Sequence, residues 1–225
     1  VNSIGLAALA VAGGFVIGSI PFGIIVGRFF YRRDIRAEGS GNIGAANALR
    51  TLGKKGAAVV LVLDALKGAL PVVAVMLAGG STAIAALGGF AAVLGHCYSP
   101  LLGGRGGKGV ATSYGVIWAL AWPAAAAFTL VWIATVIAVG YASVASMLAS
   151  AVMPFALWFM LGRAGLIYGI VSAAFIMFKH RENLGRLRAG TENTLSLKRK
   201  APPPPANTPL RRSAARGQRR RRRAQ

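Results

Sequence analysis

Long apolar runs recur along this chain, and they restrict its fold more than any other feature. They occupy residues 4–30, 56–78, 83–97, 110–140, 141–161 and 165–178. A bilayer core is matched by about 20 predominantly apolar residues in a helix. The 225 residues, 55% of them hydrophobic, are therefore read as an all-α, multi-pass membrane protein and not as a soluble domain. The first run lacks a basic leader and continues past signal-peptide length, so a retained span is expected, interrupted at Ser19-Ile20-Pro21-Phe22-Gly23.

Charge then assigns the sides. The formal net charge is +21, but 11 of the 26 basic residues follow Leu197 in a tail without an acid. The others sit mainly in short connections. Arg28, Arg32, Arg33 and Arg36 end the first span, which places that end in the cytoplasm and the N-terminus outside. Residues 110–140 are too many for one ordinary span and few for two. A single crossing would put His180, Arg181, Arg186 and Arg188 outside, whereas a hairpin turning near Trp122-Pro123 keeps them inside. The hairpin obeys the positive-inside rule, and about seven transmembrane helices result, with the C-terminus cytoplasmic.

That threading puts three polar stretches, 40–50, 96–112 and 180–192, on one face. The middle one holds Gly103-Gly104-Arg105-Gly106-Gly107-Lys108-Gly109, five glycines and two cations. Such a loop bends tightly, brings N–H groups close to a ligand and supplies positive charge, as a phosphate requires. An ATP-binding P-loop is excluded, because Leu102 stands where its first glycine belongs and Gly109 where Ser or Thr would follow the lysine. In the first stretch Ser40 is a candidate cap for a helix ending near Arg50, and Asn42 and Asn47 offer amides. In the third, His180 and Asn183 share a helical face. Together Arg50, Lys108, Arg181 and Arg186 surround neutral donors and one imidazole, which is an anion site beside a titratable group.

Other features bound the function. Asp64 and Lys67 lie three residues apart on one helix face at membrane depth. They read either as a self-satisfying pair that fixes packing or as support for the nearby site. One cysteine, Cys97, and two histidines, His96 and His180, give no metal-ligand spacing, so no metal is expected. Residues 1–197 form the membrane domain. Residues 198–225, with four consecutive prolines and the run Arg219 to Arg223, are expected to be disordered and to contact anionic lipid, with no nucleic-acid role.

The segments SGNIGAANALR, GHCYSPLLGGRGGKGVAT and HRENLGRLRAGTE, with SIPFG and LDALKGALP, resemble the bacterial acyl-phosphate:glycerol-3-phosphate acyltransferase family in order and spacing over residues 17–192. The resemblance implies a seven-span enzyme of the bacterial plasma (inner) membrane with its active site facing the cytoplasm. Its substrates would be acyl phosphate and glycerol 3-phosphate. It would make 1-acyl-glycerol 3-phosphate and phosphate for phospholipid synthesis, with no cofactor and no coenzyme A donor. By match to the motifs, Ser40, His180 and Asn183 are expected in catalysis. Asn42, Arg50, Gly106, Gly107, Lys108, Gly109 and Ser143 are expected at substrate phosphates, and Glu192, Asp64 and Lys67 in structural support. Either His180 or a substrate phosphate takes the hydroxyl proton. Ala46, the late Pro100 and Gly104-Arg105 depart from the family pattern. The competing readings are an organophosphate or anion transporter using the same cationic site, and a non-catalytic anchor whose tail recruits partners.

Overall fold

The structure, a computed structural model, describes residues 2–195. The expected lipid-binding tail and the 197/198 boundary in front of it lie outside those residues. Among the described residues there are nine α-helices and no strands: α1 (Ser3–Gly18), α2 (Phe22–Tyr31), α3 (Ala45–Thr51), α4 (Gly53–Leu77), α5 (Thr82–Cys97), α6 (Val110–Leu120), α7 (Trp122–Val139), α8 (Ala142–Lys179) and α9 (Arg181–Arg188).

Five stretches are long and apolar enough to cross a bilayer: Ser3–Tyr31, Gly53–Leu77, Thr82–Leu102, Trp122–Val139 and Ala142–Lys179. Their large side chains point outward where a soluble protein would bury them. Ile4, Leu77, Ile137 and Phe159 are each at least 80% exposed, as lipid-facing residues are. The 38 residues of α8 would span about 57 Å if straight, far more than a bilayer core. Gly162, at φ 61° and ψ −142°, breaks it. Beyond that point Gly165 lies against the carbonyl of Leu157 and Gly169 against the backbone of Pro154, so the two arms fold back on each other.

The region 110–140 does turn where the Trp122-Pro123 pair suggested. Ala121 leaves the helical region at φ −158° and ψ 87°. Tyr114 and Thr129, placed almost symmetrically about it, share a hydrogen bond of 3.0 Å. One arm, α6, has only 11 residues, about 16 Å of helix, shorter than an ordinary span.

Close approach of helix backbones holds the bundle together. A Cβ on Gly18 of α1 would come within 2.1 Å of the Ala92 carbonyl on α5, and one on Gly95 within 2.2 Å of the Phe15 carbonyl. The α4–α6 pair has the same character, with Gly68 against Thr112 and Gly115 against Ala65. In lipid, where apolar surface gains little by leaving the solvent, such dispersion contact between small residues is what joins helices. A methyl group at Gly115, 1.8 Å from the Ala65 carbonyl, has no room. Gly115→Ala is expected to cost about 1–3 kcal/mol and to lower the melting temperature in detergent. Gly13→Ala, which meets nothing within 4 Å, should leave that temperature unchanged or raise it.

Candidate active site

The site is assembled where helices stop. Pro21 has no N–H, so the chain between α1 and α2 leaves carbonyls without helical partners. Lys67 Nζ donates to the Ile20 carbonyl at 2.7 Å, and Ser99 Oγ to the Ser19 carbonyl at 2.6 Å. That break is thereby tied to α4 and to the start of the second polar stretch.

The first polar stretch winds around one buried amide. Asn47 Nδ2 donates to the carbonyls of Ile35 at 2.7 Å and Asn42 at 2.8 Å, while its Oδ1 accepts the Ser40 N–H at 2.8 Å. Gly39 and Gly41, with φ of 62° and 69°, permit the tight path on either side. Ser40 caps no helix, contrary to expectation. Helix α3 begins at Ala45 after Gly44, without a side-chain cap, and Asn42 Oδ1 instead accepts the Gly44 N–H at 2.9 Å. Ser40 is left exposed on the loop.

The glycine loop also departs from its expected use. The N–H of Gly106 donates to the Cys97 carbonyl at 3.2 Å, and that of Gly107 to the His96 carbonyl at 3.1 Å. These two donors satisfy the orphan carbonyls ending α5 and are not free for a phosphate. Gly106 and Gly107 are required for proximity instead, since a Cβ on either would lie within about 2 Å of His96. The loop delivers Lys108 and then Gly109, at φ 83°, to the start of α6. Lys108, Gly109, Val110 and Ala111 all line the cavity described below, so the first turn of this helix and one ammonium border the same space.

The third stretch closes the other side. Glu192 Oε1 accepts from Ser143 Oγ at 2.8 Å and Asn183 Nδ2 at 2.6 Å, and Oε2 accepts from Arg186 Nε at 2.8 Å. Asn183 Oδ1 in turn accepts from Lys108 Nζ. Arg50 reaches across to the carbonyls of Asn193 and Thr194 at 3.2 and 3.4 Å, and the Leu195 N–H meets the Gly140 carbonyl at 2.8 Å. His180 is buried, with Nδ1 2.8 Å from the Ile176 carbonyl, so Nδ1 carries the proton and Nε2 keeps its lone pair.

A cavity of about 380 Å³ joins these elements. Its polar end has Ser40, Asn42, Lys108, Ser143, His180 and Asn183, with Arg50, Arg186 and Glu192 around them. Its other end runs between Leu61, Tyr114, Phe128, Trp132 and Ile133. A second, more polar opening of about 850 Å³ shares Ser40, Asn42, Lys108 and Arg186 with it and adds Arg36 and Arg105. Among the expected residues, Gly106 reaches only this outer opening, Gly107 and Lys67 line neither space, and Asp64 lines the cavity. The apolar wall was not anticipated. Tyr114 and Trp132 come from the two arms of one run of otherwise ordinary membrane composition, and nothing in their spacing marks them.

Burial tunes the charges. It lowers Lys108 to about 8, with Arg186 and Arg50 adding repulsion and Glu192 and Glu182 opposing it. Burial also lowers His180 to about 4, against the hydrogen bond to Ile176, so the imidazole is neutral near pH 7. Burial would raise Glu192, but hydrogen bonds from Asn183, Ser143 and Arg186 outweigh it and hold the carboxyl below its usual range.

The fold and site define a helical membrane bundle with a cavity lined by cations and hydrogen-bonding groups together with aromatic and aliphatic side chains. Residues 8–190 match the family profile described as glycerol-3-phosphate acyltransferase. Glycerol-3-phosphate acyltransferases of Brucella anthropi and Brucella suis are each 44% identical over 185 residues, covering 82% of this chain and 91% of theirs. The chain belongs to the glycerol-3-phosphate acyltransferase family. It is also similar to crystal structures of PlsY (YgiH), an integral membrane glycerol 3-phosphate acyltransferase. The glycerol 3-phosphate form aligns with a TM-score of 0.79 at 37% identity, covering 84% of this chain and 96% of PlsY. The lysophosphatidic acid form aligns at 0.77 and 36%, covering 85% and 96%.

Lys108 is protonated below about pH 8 and neutral above it. In the free protein kcat/KM for glycerol 3-phosphate should therefore fall as pH rises through that value, by roughly tenfold per unit beyond it. Lys108→Arg, which stays charged, should lose this alkaline limb even where its maximal rate is lower. A pH profile of both proteins checks the assignment.

Proposed function

We propose that this acyltransferase uses acyl phosphate as its donor. The acyl group passes to the 1-hydroxyl of glycerol 3-phosphate, giving 1-acyl-glycerol 3-phosphate (lysophosphatidic acid) and inorganic phosphate. The observation that carries the reading is the single cavity running from a cationic, hydrogen-bonding end into an aromatic and aliphatic groove. A phosphate at the polar end would leave its acyl chain in the groove. The lysophosphatidic acid form of PlsY supports a product of the same kind here. The outer opening, with Arg36 and Arg105, suits the entry of a small water-soluble phosphate.

The chemistry asks for positioning. An acyl phosphate already has a good leaving group, so no covalent enzyme intermediate is required. The 1-hydroxyl oxygen bonds to the acyl carbon, the carbon–oxygen bond to phosphate breaks, and the hydroxyl proton goes to the leaving phosphate or to His180 Nε2. Lys108 and the α6 N-terminus, with Gly109 at its start, hold one phosphate, while Arg50 and Asn42 assist binding. A cation 4 Å from a phosphate charge is worth about 4 kcal/mol at an effective dielectric near 20, before desolvation. Ser40, His180 and Asn183 orient the reacting groups, and Ser143 stays close to the third stretch through Glu192.

Family membership favours this reading over a transporter. We further propose seven crossings, counting both arms of the two hairpins. The N-terminus would lie outside, the site would face the cytoplasm of a bacterial inner membrane, and residues 1–197 would be the catalytic domain.

Purified protein should release phosphate from acyl phosphate only when glycerol 3-phosphate is present, with lysophosphatidic acid formed in equal amount. Absence of either product with both substrates solubilised would refute the reading. Lys108→Ala and His180→Ala should each lower kcat/KM by about 100- to 1,000-fold, the loss usual for removing one preorganised polar group. Unchanged melting temperatures would rule out unfolding as the cause.

A further inference from the structure

Beneath the glycine loop lies a cluster of charged groups to which acyl transfer assigns no task. Asp64 and Lys67 on α4 and His96 on α5 are 1%, 1% and 4% exposed. Asp64 Oδ1 lies 2.8 Å from Lys67 Nζ and 3.6 Å from His96 Nδ1. Ionisable groups at this depth are costly, and an apolar contact of the same volume often holds helices as well or better. Packing alone is therefore a weak reason for them.

The cluster borders the site. Asp64 and His96 line its cavity. His96 also meets the glycine loop twice. Its carbonyl accepts the Gly107 N–H at 3.1 Å. Its ring lies so close under Gly107 that a Cβ there would be 2.0 Å from Nε2. Lys108 is the next residue, and its ammonium is the cation held by Asn183 in the cavity.

We propose that Asp64 and His96 are positioning residues for the phosphate-binding lysine. Asp64 stands 3.6 Å from the imidazole, beyond hydrogen-bond reach, and backs it with a carboxylate; the imidazole is the surface on which Gly107 rests, and that surface sets the height and direction from which Lys108 enters the cavity. The proposal rests on the acyl-transfer reading for the identity of the phosphate ligand. Lys67, bound to both Asp64 and the Ile20 carbonyl, keeps the carboxylate from becoming an unpaired buried charge. His96 and Gly107 form a matched pair, in which a ring fills the space that a side chain at 107 would need. Trimming the ring removes the loop's support. A methyl at 107 lifts the loop from it. The two changes should misplace Lys108 in opposite senses, so each alone weakens phosphate binding and the two together should partly cancel.

The test reads Lys108 directly in the full-length protein in detergent. Labelling of Lys108 by acetic anhydride is followed by mass spectrometry at increasing inorganic phosphate, with exposed Lys54 as the internal reference. In the wild type, phosphate should protect Lys108. In His96→Ala and in Gly107→Ala, the phosphate concentration giving half protection should rise at least tenfold while Lys54 labelling stays constant. In His96→Ala/Gly107→Ala it should fall back at least threefold from the worse single variant, and KM for glycerol 3-phosphate should follow the same order. Were His96→Ala not to fold, Gly107→Ala alone still decides the matter, since it alters only the loop. Wild-type protection in Gly107→Ala, or losses that simply multiply in the double variant, overturns the proposal. Because protection needs no turnover, a wild type inert in acyl transfer but showing this coupling would remove the acyl-transfer reading and keep the positioning role. Normal transfer without coupling would do the reverse.

Discussion

A backbone that leaves its helix at the edge of a bilayer must find hydrogen-bond partners inside the protein, because lipid offers none. Every functional part of this structure follows from how that requirement is met. The interruption at Pro21 is relieved by Lys67 and Ser99, which arrive from other segments. The loop before α3 is gathered by the amide of Asn47. The glycine loop is anchored because its own N–H groups complete the end of α5. Each repair joins elements far apart in sequence, so satisfying the backbone and assembling the site are one process.

That coupling explains why the site can be rigid although it is made of loops. Loops that bind ligands usually gain precision from the scaffold they rest on. Here the scaffold reaches upward into them, through Asn47 beneath Ser40, His96 beneath Gly107 and Glu192 between Ser143 and Asn183. Small residues on α1, α4, α5 and α6 let the helices beneath approach to backbone contact, which leaves little freedom for the ends that present the loops. The reacting groups therefore need not be ordered at the moment of binding, an entropy saving that positioning catalysis depends on.

Much of this was legible before the structure, and the residues show where legibility stopped. Pro21 and the Trp122-Pro123 pair marked breaks because proline lacks the N–H that a helix interior needs, although Pro71 and Pro154 stand inside α4 and α8. Clustered cations and glycines picked out Arg50, Lys108 and the third stretch, because charge is expensive in lipid wherever it is not used. The errors came from assuming local use. Ser40 looked like a helix cap and the loop amides looked like phosphate donors, since both are short-range habits of those residue types. Longer-range demands claimed them: Asn47 takes the Ser40 amide, and the end of α5 takes Gly106 and Gly107. The reversal at Gly162 was legible as well, since it falls between the runs 141–161 and 165–178, and one residue with positive φ turns the path there.

The tie between Glu192 and Lys108 gives the clearest reason why an amide, and no other side chain, stands at position 183. Glu192 needs a donor and Lys108 needs an acceptor, and Asn183 supplies one at each end of the same planar group. A carboxylate at 183 would face Glu192 with like charge, and an aliphatic residue would leave Lys108 without its acceptor and Glu192 with only Ser143 and Arg186. The orientation of the amide is thus dictated from both sides. It carries the geometry of the third polar stretch directly to the cation on the glycine loop, 75 residues earlier. A carboxylate inside an anion site is consistent with this role. Its charge is already engaged by Arg186, and its two oxygens serve as the fixed points from which Ser143, Asn183 and hence Lys108 are aimed.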